Sequence, residues 1–264
     1  MSIVLNGQLV PIFGVETLSW LDDPRVPMTT DGFARRDWIR AIVLHTVHGK
    51  LGSLRPGVKV SSRAEAFAVY QANTSRDVSW DYTIDTDGTV IASNDPIKRA
   101  CWHAGAVNAF TIGIELVQEE NGDLYQGQLE AIVKFLDALT RELADRGHPI
   151  QRQVPVSASG KPVRGVIPRI ADQLRSREVV GIYGHRNQTS NRGPGDPGDF
   201  VFQALLDAGY KGFNLDAGED LTFWKTQQTR LGLSPVDGVP GRGTAEKLLA
   251  EGHKHGLLIA RPND

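Results

Sequence analysis

The sequence contains a single cysteine, Cys101, among its 264 residues. One cysteine excludes an internal disulfide and any metal site that is built from paired cysteines. All the apolar runs are far shorter than the ~20 residues that cross a bilayer, so we expect no membrane span. The first residues have no Lys or Arg before their apolar stretch, and Asn6 interrupts that stretch. The N-terminus therefore does not predict a secretory signal peptide.

Neither sign of charge dominates the sequence. The 29 Lys and Arg residues and the 31 Asp and Glu residues give a formal net charge of −2 at pH 7. This balance argues against bulk electrostatic binding to nucleic acid, so we expect no nucleic-acid partner. Hydrophobic residues make up 40% of the chain and charged residues 23%, as in ordinary globular proteins with a sizeable core. The composition leaves the oligomeric state open.

The pattern of apolar residues predicts several β-strands. Residues 38–45 and residues 179–185 are rich in β-branched side chains, and each of these runs ends in a histidine. Residues 78–92 contain two β-rich runs around an Asp-Gly turn, which is typical of a hairpin. Residues 111–117 are short and mostly apolar, so they predict a strand at the centre of a sheet.

The predicted strands alternate with helices, which indicates an α/β domain. Apolar residues recur at helical spacing over 61–73, 126–146 and 200–208. We place this domain at residues 36–212, after an irregular lead-in over residues 1–35. Residues 149–178, rich in Pro, Ser and Arg, predict an irregular excursion. Residues 213–264 follow a Gly-rich boundary and predict a small module of two short helices.

Three polar residues could form one site. His45 and His185 each end a predicted strand, and Asp196 follows eleven residues after His185. Strand ends are where ligand sites of α/β proteins gather. Two imidazoles and a carboxylate form a donor set for Zn²⁺ that leaves a fourth position for water, as in catalytic zinc sites. A lone histidine at a strand end is more often a hydrogen-bonded structural residue, so spacing alone leaves both roles open.

Six short segments stand in a recognisable order along the chain. They are IVLHT (42–46), TIDTDGTV (83–90), ACWHAG (100–105), IGIEL (112–116), GHR (184–186) and GDPG (195–198). In this order they resemble the zinc-dependent N-acetylmuramoyl-L-alanine amidases, a superfamily that also contains phage-lysozyme-type amidases and peptidoglycan recognition proteins. The resemblance extends from about residue 38 to residue 208. It implies a central mixed β-sheet flanked by helices, with peptidoglycan as the partner.

The resemblance also implies roles for individual residues. His45, His185 and Asp196 correspond to the three Zn²⁺ ligands, and Glu115 falls where the recycling-type members carry a catalytic glutamate. The implied reaction is hydrolysis of the amide between N-acetylmuramic acid and L-alanine. Bound zinc makes water a better nucleophile and polarises the carbonyl. Glu115 takes the proton from that water and passes it to the departing amine.

The same resemblance suggests which residues contact the substrate. Trp102 and His103 fall on the segment that lines the substrate cleft. Trp80 stands at a cleft position of the relatives, and His48, three residues after the first predicted ligand, is expected to contact substrate at the rim. We therefore predict these four residues as substrate-binding.

Two positions depart from the family pattern. Pro194 occupies the place of a lysine that assists the oxyanion, and Arg192 is the nearest cation. We predict that Arg192 stabilises the oxyanion electrostatically without donating a proton; the alternative is a solvated loop arginine. Trp80 and Asp81 stand where relatives often carry Tyr-His. A tryptophan cannot replace the tyrosine that phage-type members use in catalysis, so the acid-base work falls to Glu115.

The C-terminal segment resembles a trimmed peptidoglycan-binding module. Trp224, Leu231-Gly232-Leu233 and Val236-Asp237-Gly238-Val239 carry that likeness, and the alternative is a helical cap that packs on the amidase domain. We expect an endolysin-like or delivered cell-wall lytic enzyme, made in the cytoplasm and acting on the wall after release or delivery. A non-catalytic peptidoglycan-binding protein, a cytoplasmic muropeptide-recycling amidase and another zinc hydrolase are the alternatives.

Overall fold

The computed structural model describes nine stretches of the chain, and these contain both strands and helices. The stretches are residues 2–29, 31–48, 62–118, 124–157, 159–167, 170, 181–189, 196–213 and 228–234. Their strands are β1 (Ser2–Leu5), β2 (Gln8–Pro11), β3 (Thr17–Ser19), β4 (Phe33–Ala34), β5 (Ala41–His48), β6 (Tyr82–Ile84), β7 (Val90–Ala92), β8 (Arg99–Ala100), β9 (Thr111–Gln118), β10 (Gln153–Pro155), β11 (Ile182–Gly184) and β12 (Lys211–Phe213). Their helices are α1 (Ser62–Asn73), α2 (Gln126–Asp145) and α3 (Asp199–Asp207), with 3₁₀ helices at Gly105–Phe110 and His185–Asn187.

The main sheet has six strands in the order β11-β5-β9-β6-β7-β3. Strands β11, β5, β9 and β6 run parallel, β7 returns antiparallel to β6, and β3 is parallel to β7. The predicted fold class, a mixed central sheet flanked by helices, is confirmed. β9 lies at the centre, and β6 with β7 forms the predicted hairpin.

Helix α2 covers one face of this sheet. Successive side chains of a strand point to opposite faces, and the apolar ones on this face pack against the helix. Ile42 and Leu44 of β5 and Ile112 and Ile114 of β9 face the helix and share its apolar cluster. The helix contributes to that cluster the residues Ile132, Phe135, Leu136, Leu139 and Leu143. It ends close to the predicted stop, where Gly147 has a φ of 82°, a left-handed conformation that glycine adopts without strain.

The opposite face is covered by two separate apolar clusters. Val43 of β5 belongs to the first cluster, together with Val107 and Tyr183. Val117 of β9 belongs to the second cluster, which includes Ala64 and other residues of α1. The polar residues of β5 and β9 fall between these two clusters, so the packing of the sheet leaves a polar gap in the middle of this face.

Residues 1–35 contain strands, whereas the sequence predicted an irregular lead-in there. β1 and β2 pair as an antiparallel hairpin, and β3 joins the main sheet as its edge strand. The carboxylate of Asp95 accepts hydrogen bonds from the backbone N–H groups of Asn6 (3.0 Å) and Gly7 (2.6 Å) at the hairpin turn. Strands of three or four residues are too short to show a clear period, which is why the sequence pattern did not reveal them.

Other boundaries shifted by a few residues. The strand predicted over 38–45 runs from Ala41 to His48 as β5. β10 lies inside the predicted excursion and pairs in parallel with β12, the strand after α3. The excursion therefore contains a strand of a second sheet. Most of the predicted module over residues 213–264 lies outside the described residues, and that division stays a prediction. None of the helices in the described stretches is both long enough and apolar enough to cross a membrane.

Candidate metal centre

Two histidines meet where β5 and β11 run side by side. β11 pairs with β5 in the register that sets Gly184 beside Leu44. The next residues along the two strands, His185 and His45, are therefore neighbours, and both side chains are buried. Their Nδ1 atoms lie 2.9 Å apart.

Asp196 joins the two histidines because the chain returns to the end of β11. The backbone N–H of Arg186 donates to the carbonyl of Asp196 at 3.0 Å. Thr46 donates to Asp196 Oδ1 from its backbone N–H at 2.8 Å and from its hydroxyl at 3.3 Å. The other oxygen, Oδ2, lies 3.5 Å from Nδ1 of His185.

These three side chains fit a divalent metal ion. One ligand atom from each of His45, His185 and Asp196 lies within 4.8 Å of the other two. Two nitrogen ligands of a tetrahedral zinc ion, each ~2.0–2.1 Å from the metal, are about 3.3 Å apart. The observed separations of 2.9 and 3.5 Å bracket that distance, and two imidazoles with one carboxylate are a donor set that zinc favours.

Glu115 faces the same side of the sheet as the histidines. β5 and β9 pair in parallel with His45 beside Glu115, and β6 places Thr83 on the other side of Glu115. Residues paired in this way project from the same face. The half-buried Glu115 side chain lines one cavity together with both histidines.

That cavity is an open cleft of about 460 Å³. Its walls include Trp80 and Trp102, two of the residues predicted to bind substrate. Trp80 is buried, and its indole N–H donates to the hydroxyl of Thr83 at 2.7 Å. Trp102 is exposed, and its ring lies 4.6 Å from the ring of Phe33. The cleft therefore has one rigid aromatic wall and one accessible aromatic edge.

His103 lies in the wall of the cleft and contacts the first histidine. Its Nδ1 is 2.9 Å from Nε2 of His45, and its Nε2 is 3.2 Å from the hydroxyl oxygen of Thr111. Burial lowers the pKa of His103 to about 3, and the charge of Arg35 acts in the same direction. The ring of His103 is therefore neutral at pH 7.

Asp81, which directly follows Trp80 in the sequence, has a structural role. Its side chain is fully buried and accepts hydrogen bonds from the backbone N–H of Gly113 at 2.9 Å and from Asn94 at 2.7 Å. Burial raises the pKa of this carboxyl group, while the nearby Arg35 opposes the change. Asp81 thus fixes the backbone of β9 at Gly113.

Several supporting residues were missed from the sequence. Thr46 holds the carboxylate of Asp196, and Asn187 holds the turn after β11 by donating to the carbonyls of Val163 and Gly165, both at 3.0 Å. Arg186 is buried and donates to Asp199 at 2.8 Å. The available signal was adjacency, because Thr46 and Arg186 directly follow the predicted ligands and Asn187 comes one residue later.

The side chains of two predicted site residues fall outside what the structure describes. Arg192, the predicted oxyanion cation, and Pro194 lie outside the described residues. The backbone of His48 ends β5, but its side chain lies outside the described part of the chain. The roles assigned to Arg192 and His48 stay predictions.

Comparison with known proteins identifies a family. The profile of the family described as Amidase_2, N-acetylmuramoyl-L-alanine amidase, matches residues 35–199, which is more than half of the chain. A search of curated proteins returned no match.

Solved structures include three to which the chain is similar at low identity. Drosophila peptidoglycan recognition protein SD is 15% identical, with a TM-score of 0.47 over 76% of this chain and 99% of that one. The endolysin N-acetylmuramoyl-L-alanine amidase LysCS from Clostridium intestinale URNW is 12% identical, with a TM-score of 0.39 over 74% and 97%. A selenomethionine derivative of AmpD is 21% identical, with a TM-score of 0.39 over 74% and 96%. On the family profile, which spans most of the sheet and the whole ligand cluster, the chain belongs to the N-acetylmuramoyl-L-alanine amidase family.

Proposed function

We propose that this protein is a zinc-dependent hydrolase that cleaves the amide bond between N-acetylmuramic acid and L-alanine in peptidoglycan. The observation that carries the proposal is the convergence of His45, His185 and Asp196 on one point beside a cleft that Glu115 shares. Family membership supports the choice of substrate.

The ligands would be Nδ1 of His45, Nδ1 of His185 and the carboxylate of Asp196. When bound there, zinc supplies the Lewis acidity that polarises an amide carbonyl and lets water attack at neutral pH. Thr46 fixes the orientation of Asp196 through two hydrogen bonds to Oδ1. That contact turns Oδ2 toward His185, so the carboxylate approaches the metal position in a defined direction.

Glu115 is the proposed general base and general acid. Neighbouring strands lie about 4.8 Å apart, so the Glu115 carboxylate rises from the sheet one strand away from His45. At that distance it accepts a proton from the attacking water and returns it to the amine of L-alanine as the amide bond breaks. Among the described residues, one other carboxylate lines the cleft, that of the exposed Asp77.

The cleft walls are the proposed binding surface for the glycan and the stem peptide. Trp80 and Trp102 give the cavity aromatic surface, and Glu115 and the two histidines give it polar groups. Small-molecule sites commonly combine aromatic walls with a few polar groups. The exposed ring of Trp102 is the more accessible contact, because Trp80 is buried and tied to Thr83. We retain both tryptophans and His48 as proposed substrate contacts.

A product analysis tests the proposal. Purified protein is incubated with peptidoglycan, and the new amino termini and new reducing sugar ends are both counted. We expect free L-alanine amino groups and no new reducing ends; the reverse pattern would identify a glycosidase. Chelator treatment should abolish the release, and added Zn²⁺ should restore it.

The same assay separates the catalytic role from a binding role. A non-catalytic peptidoglycan-binding protein would sediment with insoluble wall material but release no product. Activity that survives complete metal removal would contradict the assigned metal centre even if the correct bond is cut.

A further inference from the structure

We propose that His103 and Thr111 are positioning residues that set the tautomer of His45, so that its Nδ1 carries a lone pair toward the metal position. The proposal concerns the metal centre of the proposed function and rests on it. It assigns His103 a role other than the substrate contact that the sequence predicted. The device is a chain of three hydrogen bonds that ends on a backbone carbonyl.

The chain of contacts is continuous. Nε2 of His45 lies 2.9 Å from Nδ1 of His103. Nε2 of His103 lies 3.2 Å from Oγ1 of Thr111. Thr111 Oγ1 in turn lies 2.9 Å from the carbonyl oxygen of Val107. Four groups are thus linked from the cleft to the 3₁₀ helix that precedes β9.

The far end of this chain determines the direction of every proton. A carbonyl oxygen only accepts, so the hydroxyl proton of Thr111 is donated to Val107. Oγ1 of Thr111 then accepts from Nε2–H of His103. An imidazole with its single proton on Nε2 has a lone pair on Nδ1, so Nδ1 of His103 accepts from Nε2–H of His45.

The near end of the chain agrees with metal binding. With its proton on Nε2, His45 has a lone pair on Nδ1, and Nδ1 is the atom that lies 2.9 Å from Nδ1 of His185. The opposite proton order would place a proton on Nδ1 of His45 and block it as a ligand. Metal-binding histidines are usually oriented by a carboxylate, a carbonyl or water. In this protein His103 has that role toward His45.

The ring of His103 is held tightly enough to act in this way. A Cβ atom at Gly113 would lie 2.6 Å from Cγ of His103, so the ring packs directly on the backbone of β9. The amide oxygen of Asn108 accepts from the backbone N–H groups of His103 (3.1 Å) and Ala104 (2.6 Å). The His103 side chain is therefore held in one orientation, in which both ring nitrogens reach their partners.

Nuclear magnetic resonance of the metal-free full chain tests the tautomers directly. With ¹⁵N-labelled imidazoles, long-range ¹H–¹⁵N spectra show which ring nitrogen carries the proton. We expect His45 and His103 both to be protonated at Nε2. Thr111→Val keeps the shape and the backbone carbonyl of Thr111, with which the His103 ring also interacts, but removes the hydroxyl acceptor. We expect this variant to give a mixture of tautomers at His103, whereas Thr111→Ser should retain the wild-type pattern. A proton on Nδ1 of His45 in the wild-type chain would overturn the proposal, as would an unchanged spectrum for Thr111→Val.

Zinc affinity supplies the second readout, measured by competition with a chromophoric chelator. We expect Thr111→Val and His103→Phe to weaken Zn²⁺ binding by about 10- to 100-fold, the usual effect of removing a residue that orients a ligand. Thr111→Ser should restore affinity to near the wild-type value, and circular dichroism checks that each variant is folded. Equal affinity in Thr111→Val and wild type would overturn the positioning role but leave the proposed amidase intact. A wild-type chain that binds no zinc would contradict the proposed function, and the tautomer spectra would still decide the hydrogen-bond chain.

Discussion

Asp196 shows how single contacts orient the ligand cluster. Both hydrogen bonds from Thr46 reach the same carboxylate oxygen, Oδ1, while Oδ2 is the oxygen nearer to His185. A carboxylate held in this way loses little further freedom when it binds a metal, so less affinity is lost to ordering the ligand. At the residue scale, the centre depends on which atom each side chain presents rather than on residue type alone.

His185 is expected to be essential for metal binding. His185→Ala removes one of three donors, and the remaining two leave the cluster short of the donor number of a catalytic zinc site. We expect less than a tenth of the wild-type zinc content by elemental analysis after gel filtration. His148→Ala is the matched control, because His148 lies outside the cluster and contacts the backbone N–H of Ile39. Full zinc occupancy in His185→Ala would remove His185 from the ligand set.

Glu115 is expected to be needed for turnover but not for metal binding. Glu115→Gln keeps the size of the side chain and removes its ability to take a proton. We expect kcat to fall by about 10²- to 10⁴-fold, the contribution of a general acid-base group, with zinc content unchanged. Glu130→Gln, an exposed substitution on α2, serves as the control. A rate within a few-fold of wild type would exclude Glu115 from proton transfer.

At the scale of elements, one face of the sheet forms the apolar core and the opposite face carries the polar residues of the candidate site. The α2 face is a continuous apolar cluster, and the opposite face carries His45 and Glu115 between two smaller clusters. Because successive side chains of a strand point to opposite faces, β5 and β9 each serve both purposes. The polar face is therefore supported from behind by a packed core.

This division predicts a substitution that alters stability alone. Phe135 of α2 is fully buried and its ring lies 5.1 Å from the ring of Tyr82 in an edge-to-face arrangement. Phe135→Ala should lower the free energy of unfolding by about 3–5 kcal/mol, through lost burial and the cavity left behind. Urea unfolding measures the loss, and zinc affinity of the folded fraction should be unchanged. A loss below about 1 kcal/mol would show that the core relaxes around the gap.

At the scale of the whole molecule, the ligand cluster and the predicted wall anchor occupy different parts of the chain. The cluster lies within residues 35–199, which match the amidase family, whereas the likeness to a peptidoglycan-binding module falls within residues 213–264. A second binding site on the same chain raises the local concentration of substrate and acts only on a polymeric target.

Deletion of residues 214–264 tests that arrangement and keeps β12 intact. We expect activity on soluble muropeptides to be unchanged and activity on intact sacculi to fall at least several-fold, because the anchor no longer retains the enzyme on the wall. Both activities are measured with the same protein preparations. Equal activity on sacculi would favour the helical cap, and a preference of the full chain for soluble muropeptides would favour the recycling role.

Local patterns determined several elements without any knowledge of the fold. The apolar spacing over residues 126–146 and the Asp-Gly turn within residues 78–92 depend on neighbours a few positions apart, and both elements formed as predicted. The order of the short motifs determined the family in the same way, because it requires only residue types along the chain. The four strands within residues 1–35 were missed because each is too short to show a period.

The arrangement of the candidate metal centre was decided by the tertiary structure. His45 is 58 residues from His103 and 140 from His185, and Thr46 is 150 from Asp196. Which nitrogen of His45 faces the ligands, and which residue holds the other nitrogen, depends on strand register and on a glycine that lets a ring approach the sheet. Those contacts form between distant segments, and a linear pattern carries no information about the orientation of side chains that meet only after folding.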